Sequence, residues 1–482
     1  MFLFISAPQQ ALACLVFSAV CCCVLIFNRF NRSHGLPPGP RPLPIIGNAH
    51  QVSIESPEKT FAQWSKLYGD VIFVRMFSRP TLIVNSRTAV RELLVKRSGK
   101  YSDRPPSILM SELLGWRDAL PFMNMGERHK KQRRWIHSTF FASSSLNQFT
   151  AVQARAVRVL LVGLARRPED YAAHLHRFSS SLMLEGLYGH TVTSDDDENL
   201  IYVETASQGT SEIATPGAAI VDFLPFLRWV PTWLPGADFK RKAAKANVAI
   251  HMAHINPYEL VERLMAAGED KPSLVKSLIE EYTSKGTLAT ERQDIMSIGA
   301  ISYVAIVLYP EALRKAQDEI DRVVGNDRIP DLCDRNSLPY LDCMLREVYR
   351  WHCPGPLGAY HVTRIPHALS EEDEYRGYKI PKGCIIIPNM WFMTRDAELY
   401  PEPEVFRPER FWGLSEEEME DMCPRNIIFG YGRRICPGRR FADTSIWLSM
   451  AAIVATLDVE KARTALGEEI TPSQSFIPGA VR

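Results

Sequence analysis

The chain has 482 residues, is 46% hydrophobic and carries a formal charge of +1. That is a globular composition, long enough for one large domain or a few smaller ones. The near-neutral balance, with no basic tail and no RNA-type aromatic motif, argues against nucleic acid as a partner. Ten cysteines fall in two clusters, at 14–23 and 333–436. A disulfide-stapled secreted fold does not leave about three hundred residues without one, so the main domain reads as a resident of a reducing compartment. No CxxC pair or zinc spacing occurs; His352, Cys353 and His361 lie close in sequence but fit no zinc pattern.

Residues 1–28 read as a membrane anchor. Ala11 to Phe27 carries no charge, and Phe2 to Phe27 supplies the roughly 20 residues a helix needs to span a bilayer. Arg29 and Arg32 follow, which places the N-terminus in the lumen and the rest in the cytosol, as a single-pass protein of the endoplasmic reticulum. The alternative, a cleaved signal peptide, lacks its basic n-region and small-residue cleavage site. Residues 29–47 form a basic, proline-rich hinge. The five prolines of Leu36 to Gly47 forbid helix and favour a stiff spacer. Residues 48–482 form the main domain.

Phe61 to Tyr68 predicts a short helix ended by Gly69. Val71 to Met76 and Thr81 to Asn85 predict a hairpin around Ser78-Arg79-Pro80. Thr88 to Lys96 returns to helical spacing, and Tyr101 to Leu120 is irregular. Gly126 to Trp135 is densely basic, either a solvated helix face or an anion site. Residues 145–290 are mainly helical patterns, with a solvated acidic loop expected at Asp195 to Glu198. Ile220 to Leu234 contains Trp229, Trp233 and two prolines, Pro225 and Pro231, with Pro235 following directly. Core packing is its default, and a second membrane contact is the sharper reading, because aromatic-rich segments favour the bilayer interface.

Asp294 to Leu308 is a short apolar segment running into Tyr309-Pro310-Glu311. Pro310 opens a helix at a position where its missing N–H costs nothing. Leu313, Ala316, Ile320 and Val323 share its apolar face, and Gly325 ends it. Leu341, Leu345 and Val348 stripe the next helix, where Glu347 and Arg350 share a face at i,i+3 spacing. Glu416 to Asp421 reads as an exposed acidic loop.

Phe429-Gly430-Tyr431-Gly432-Arg433-Arg434-Ile435-Cys436-Pro437-Gly438 is a glycine-punctuated loop holding one cysteine. An apolar, helix-compatible run follows from Phe441 to Val454. A helix start and two preceding arginines favour a thiolate. Gly432 and Gly438 allow close approach that a Cβ would block. One thiolate on an open face is how haem iron is held; the bland alternative is a small buried hydrophobe.

The pattern Phe-x-x-Gly-x-Arg-x-Cys-x-Gly, met by Phe429, Gly432, Arg434, Cys436 and Gly438, resembles the haem-binding loop of cytochrome P-450 monooxygenases, most closely their fungal members. The resemblance implies a mainly α fold with a smaller β region. It implies haem b, with Cys436 as the axial thiolate and metal ligand and with Phe429 and Gly438 in the cofactor loop. It further implies electrons from NADPH through a membrane-bound reductase, and a lipophilic secondary metabolite or xenobiotic as substrate. The family's Trp-x-x-x-Arg falls on His129 and Arg133, which with His361 and Arg434 would bind the haem propionates. Glu347 and Arg350 fall on its Glu-x-x-Arg, and Arg410 is the third member of that network. Arg433, Arg439, Arg440, Lys130 and Lys131 are either reductase-docking charges or a generic solvated face.

One family feature is missing. The long distal helix before Tyr-Pro-Glu carries Ala/Gly-Gly-x-Asp/Glu-Thr-Thr, and no such hexapeptide occurs in this chain. The domain therefore reads as shortened near 299–302 and at its C-terminus. Its catalytic distal residues are unassigned, with Ser302 and Tyr303 candidates by chemistry alone. Two readings stand: an active monooxygenase, or a catalytically inactive truncated or splice-variant haem-thiolate protein.

Overall fold

Prolines and glycines set many of the element ends. The computed structural model describes residues 35–140, 143–213, 216–297, 310–325, 327–353, 355–357 and 365–459. The expected anchor at 1–28, the shortened segment at 299–302, His361 and the C-terminal residues from 460 lie outside the described residues. Among the described residues no helix is long and apolar enough to cross a membrane.

Helix α1 (Pro57–Tyr68) starts ahead of the expected Phe61, because Pro57 is preorganised for a first helical turn. It ends at Gly69, whose φ of 93° suits glycine. Strands β1 (Val71–Met76) and β2 (Arg79–Val84) form the expected antiparallel hairpin, with Val71 opposite Val84 and Phe73 opposite Leu82. Four short strands come from late in the chain: β3 (His367–Ala368), β4 (Asp373–Tyr375), β5 (Tyr378–Ile380) and β6 (Ile385–Pro388). Strand β6 pairs parallel with β2 and antiparallel with β3, giving the order β1-β2-β6-β3, while β4 and β5 form a separate hairpin.

Helices make up the larger layer. The longer ones are α2 (Glu127–Phe140), α3 (Ser143–Arg166), α4 (Tyr171–Tyr188), α5 (Glu198–Ile213), α6 (Asp238–Ala267), α7 (Leu274–Ser284), α8 (Leu288–Met296), α9 (Pro310–Val323), α10 (Pro339–Trp351) and α11 (Arg439–Thr456). Helix α11, which follows the cysteine loop, packs against α3, α9 and α10. Its Trp447 and Ala451 are fully buried beside Leu341 and Leu345 of α10 and Ala316 of α9. Burying one large aliphatic side chain contributes about 1.5–3 kcal/mol, so this three-sided contact fixes α11 firmly. The Pro310 start and the Gly325 stop of α9 are as expected, Gly325 having φ 74°.

Two local expectations are corrected and one is extended. Glu416–Met422 is a helix, because Ser415 and Glu418 form a capping box. The acidic run before α5 is an exposed turn at Asp195 and Asp196, as expected, and it also makes contacts: Asp197 accepts from His190 at 2.7 Å and from the Leu200 N–H at 3.1 Å, and Asp195 pairs with Arg177. In the Ile220 to Leu234 segment Val221 is buried, but Phe226, Trp229 and Trp233 are 61%, 74% and 76% exposed. Core packing does not describe those three.

Candidate functional site

The cysteine loop is laid against the helical turns of residues 87–96. A Cβ on Gly432 would stand 2.0 Å from the Leu94 carbonyl oxygen, and φ is 53° there, so only glycine fits. The Cys436 N–H closes the loop on the Phe429 carbonyl at 2.8 Å. Gly438 differs from expectation: its φ is −90°, and no atom of the described residues lies within 4 Å of a Cβ built there. Contact with the protein is not what makes it glycine.

Cys436 is half-buried. Burial pushes its thiol up, opposed by a hydrogen bond from the Gly438 backbone and by the charges of Arg133 and Arg439. The expected net lowering is therefore absent from the protein alone. The charges that reach the sulfur are also not the two arginines directly before it.

Arg133 of α2 donates Nη2 to the Ile435 carbonyl at 2.6 Å. Arg434, buried, donates Nε to the Ser102 carbonyl and Nη2 to the Met123 carbonyl, both at 2.6 Å. Arg104 donates Nε to Pro121 at 2.8 Å and Nη1 to the Ile365 and Pro366 carbonyls at 2.6 and 2.9 Å. His367 of β3 holds the Tyr101 carbonyl through Nδ1 at 2.6 Å, and His129 of α2 is buried beside these groups.

Their mutual influence shows how crowded with positive charge the site is. Burial, then Arg434, Arg133 and Arg104, lowers His129 to about 3. Burial and Arg104 lower His367 to about 3, with Arg434 adding to the effect. Arg434 is lowered to about 10 by burial, with Asp103 opposing and Arg133 assisting. His129 Nδ1, Arg434 Nη1 and Ser102 Oγ are buried with no hydrogen-bond partner among the described residues. Buried donors left unpaired cost about 1–3 kcal/mol each, so the site is built for an anion with several acceptor oxygens.

The structure thus brings together the expected His129, Arg133 and Arg434, and adds Arg104 and His367. Nothing periodic marks these two in sequence. Arg104 sits in an irregular stretch and His367 in a two-residue strand, and only the fold places them against α2. The basic run of α2 has a second occupation. Arg128 pairs with Asp118 and Asp294, and Lys131 with Asp294 at 2.7 Å and with Glu291. Lys131 therefore ties α2 to α8 and is not a free docking charge; Lys130 is exposed and pairs with Glu127 at 2.7 Å.

Below the loop, Glu347 and Arg350 are completely buried. Arg350 Nε and Nη2 each donate to a Glu347 oxygen at 2.7 Å, and Arg410 Nε reaches both oxygens at 3.1 Å. The Arg407 N–H adds a bond to Glu347 at 2.7 Å. The spare guanidinium hydrogens go to the carbonyls of Thr394, Pro403 and Val405. The expected three-member network is present as a geometry, with Phe429 nearby, its ring edge-on to Tyr349 at 5.8 Å.

The cytochrome P-450 family model matches residues 37–293 and 300–477. This chain belongs to the cytochrome P-450 family. Cytochrome P-450 monooxygenase 176 of Postia placenta is 40% identical over 471 residues, covering 94% of this chain and 89% of the relative. Cytochrome P-450 monooxygenase 136 of the same organism is 37% identical, covering 99% and 92%. Cytochrome P-450 monooxygenase claR of Ampulloclitocybe clavipes is 33% identical, covering 93% and 85%. The chain is thus a P-450 family oxidoreductase of the monooxygenase type, and the family's cofactor is haem held by a cysteine thiolate. The residues present fit that group. A propionate-bearing ring supplies carboxylate oxygens for the unpaired His129 and Arg434 nitrogens, and the open space at Gly438 leaves the loop face clear. The two P-450 matches leave residues 294–299 uncovered, next to the place where the distal motif is missing.

Proposed function

We propose that this chain is a haem-dependent monooxygenase that inserts one oxygen atom of dioxygen into a lipophilic small molecule, a secondary metabolite or xenobiotic. The observation that carries this is the pair of buried nitrogens, His129 Nδ1 and Arg434 Nη1, that have no partner among the described residues and lie beside the Cys436 loop. Cys436 is the thiolate ligand. The buried Cys343 and Cys353 thiols are pushed up to about 11, chiefly by burial, and neither lies on such a loop. When bound, the haem supplies dioxygen activation, which thiolate donation to the iron favours.

The chain's own residues orient and hold that group. Arg104, His129, Arg133, His361, His367 and Arg434 receive the propionates through charge-assisted hydrogen bonds. Arg133 and Arg439 favour loss of the Cys436 proton, and Gly438 keeps the loop face free of side chain. Glu347, Arg350 and Arg410 hold the chain below the loop. Residues 1–28 anchor the protein in the endoplasmic reticulum membrane, 29–47 act as the hinge, and 48–482 form the haem-thiolate domain in the cytosol. A membrane-bound, NADPH-dependent reductase supplies electrons over the exposed Arg433 and Arg440.

The missing Ala/Gly-Gly-x-Asp/Glu-Thr-Thr favours a second reading, an inactive haem-thiolate protein, because the distal pocket decides between binding oxygen and activating it. The carbon monoxide difference spectrum of the reduced protein separates these. A thiolate-type Soret band with NADPH-driven oxidation supports the enzyme. The same band without turnover supports the second reading, and no such band overturns both. Retention of the band by Cys436→Ala would move the ligand elsewhere.

A further inference from the structure

Helix α10 carries two polar faces. Glu347 and Arg350 form one. Asp342, Arg346 and Tyr349, at i, i+4 and i+7, form the other. The second face meets two charged residues that bracket the cysteine loop: Arg425 before it, and Asp443 in the first turns of α11 after it.

Arg425 Nε donates to Asp443 Oδ1 at 2.6 Å, and its Nη2 to Asp342 Oδ1 at 2.9 Å. Arg335 spans the same two acids, with Nη2 2.8 Å from Asp342 Oδ1 and 2.7 Å from Asp443 Oδ2. Arg346 closes on Asp342 Oδ2 at 2.7 Å. Tyr349 donates its hydroxyl to Asp443 Oδ1 at 3.3 Å and sets its ring against Phe429, the first residue of the loop. These side chains are a fifth exposed or less. Burial works against the Arg425 charge, but Asp443 and Asp342 outweigh it and hold the guanidinium above its ordinary range. Asp342 is likewise held low, against burial, by Arg425, Arg335 and Arg346.

We propose that the lattice of Asp342, Asp443, Arg335 and Arg425 is a positioning device that clamps both arms of the cysteine loop to α10 and so fixes where Cys436 presents its sulfur. It rests on Cys436 being the thiolate ligand. The Glu347 network does not perform this task. Its bonds go to Thr394, Pro403, Val405 and Arg407, all before the loop and none after it. Asp443 is the carboxylate on α11 through which the arm after Cys436 is tied back, and Arg425 carries the arm before it. With Asp443 neutral, three guanidiniums, Arg335, Arg346 and Arg425, converge on Asp342 alone, and the ionic tie between the two arms is lost. A metal ligand must sit within about 0.5 Å of its productive position, so slack of one rotamer in either arm matters.

The test is the share of reduced, carbon monoxide-bound protein that shows the thiolate-type Soret band, measured beside total haem. Asp443→Asn and Arg425→Lys are each expected to retain haem while the thiolate-type share falls by about tenfold, the low end for loss of an outer-sphere partner. Asp443→Glu restores the carboxylate and recovers the band. Val261→Ala, in the buried core of α6, serves as the control: at a matched loss of thermal stability it keeps the band. The proposal is overturned if Asp443→Asn keeps the unmodified share, or if Val261→Ala loses the band equally. Should Asp443→Asn not fold, Arg335→Gln removes the second bridge between Asp342 and Asp443, and an unchanged share there overturns the proposal too. If Cys436→Ala keeps the band the ligand assignment fails; if it loses the band and Asp443→Asn does not, only the clamp fails.

Discussion

Arg133 Nη2 lies 2.6 Å from the carbonyl of Ile435, the residue next to Cys436. One bond thus joins α2, which carries His129, to the loop that carries the thiol. A guanidinium has five N–H donors in a fixed fork, so Arg133 can hold this carbonyl and still present donors to an anion. An ammonium is a point charge with no fork. Arg133→Lys is therefore expected to weaken haem binding by about tenfold, and Arg133→Ala by more. Haem titration followed at the Soret band measures this. Equal affinity for the lysine variant would show that charge alone suffices.

The two glycines of the loop separate folding from cofactor fit. Gly432→Ala sets a methyl 2.0 Å from backbone oxygen at a positive φ, and no rotamer relieves that. A cost of at least about 1–3 kcal/mol is expected in denaturant unfolding. Gly438→Ala meets nothing within 4 Å among the described residues and has an ordinary φ. Its stability should stay within about 0.5 kcal/mol of the unmodified chain, while its haem content falls because the methyl stands on the loop face. Normal haem content in Gly438→Ala would remove that face as the seat of the ring.

What could be read from sequence was whatever is local. The hairpin at Val71, the Gly69 and Gly325 stops and the Glu347–Arg350 pair depend on residues a few positions apart, and each is found. The Arg410 contact and the gathering of Arg133 and Arg434 were reached by pattern resemblance. Arg104 and His367 were missed because their meaning comes from carbonyls and charges hundreds of residues away. Asp443 is not marked in sequence because its partners Tyr349 and Arg335 lie 94 and 108 residues earlier and become neighbours only in the fold. The acidic stretch at Glu416 was misjudged because charge outweighed the Ser415 capping signal.

Glu347 lies between two guanidiniums with no exposure of its own. Glu347→Gln keeps the shape and removes the charge, leaving Arg350 and Arg410 without their counter-ion. Breaking a buried pair from one side costs about 3–5 kcal/mol. Equilibrium unfolding should show a loss of that size; a loss below about 1 kcal/mol would mean that the carbonyls of Thr394, Pro403 and Val405 carry the arginine unaided.

His129 and His367 give the haem-free protein a defined acid response. Both are lowered to about 3 in the folded chain, by burial first and neighbouring arginines next. Unfolded, each returns to about 6.5. Between these values the unfolded chain binds more protons, so stability rises with pH and is lost as pH falls from about 6.5 toward 3. The slope is at most about 1.4 kcal/mol per pH unit for each imidazole. His129→Gln should flatten the stability profile between about pH 6 and 5 by one such increment. Bound propionates favour the imidazolium, so haem loading should flatten it as well. An unchanged profile in His129→Gln would show that this imidazole is not held neutral by its surroundings.

The exposed aromatic segment predicts membrane contact that does not need residues 1–34. Phe226, Trp229 and Trp233 are all exposed, and Arg228 stacks on Trp229 at 4.7 Å. Lys240 fastens the segment by donating to the Arg228 and Val230 carbonyls at 2.8 and 2.9 Å. Such rings are stabilised at a bilayer interface, where an apolar body is buried and a polar edge stays wet. A chain beginning at Gly35 should therefore still cosediment with neutral phosphatidylcholine vesicles. Trp229→Ser and Trp233→Ser should each reduce partitioning by about tenfold, or roughly 1.4 kcal/mol. Apolar contact survives salt, whereas contact made by Arg228 and its basic neighbours is screened within about 10 Å at 0.1 M. Binding that vanishes at high salt and ignores both tryptophan substitutions would assign the attraction to charge instead.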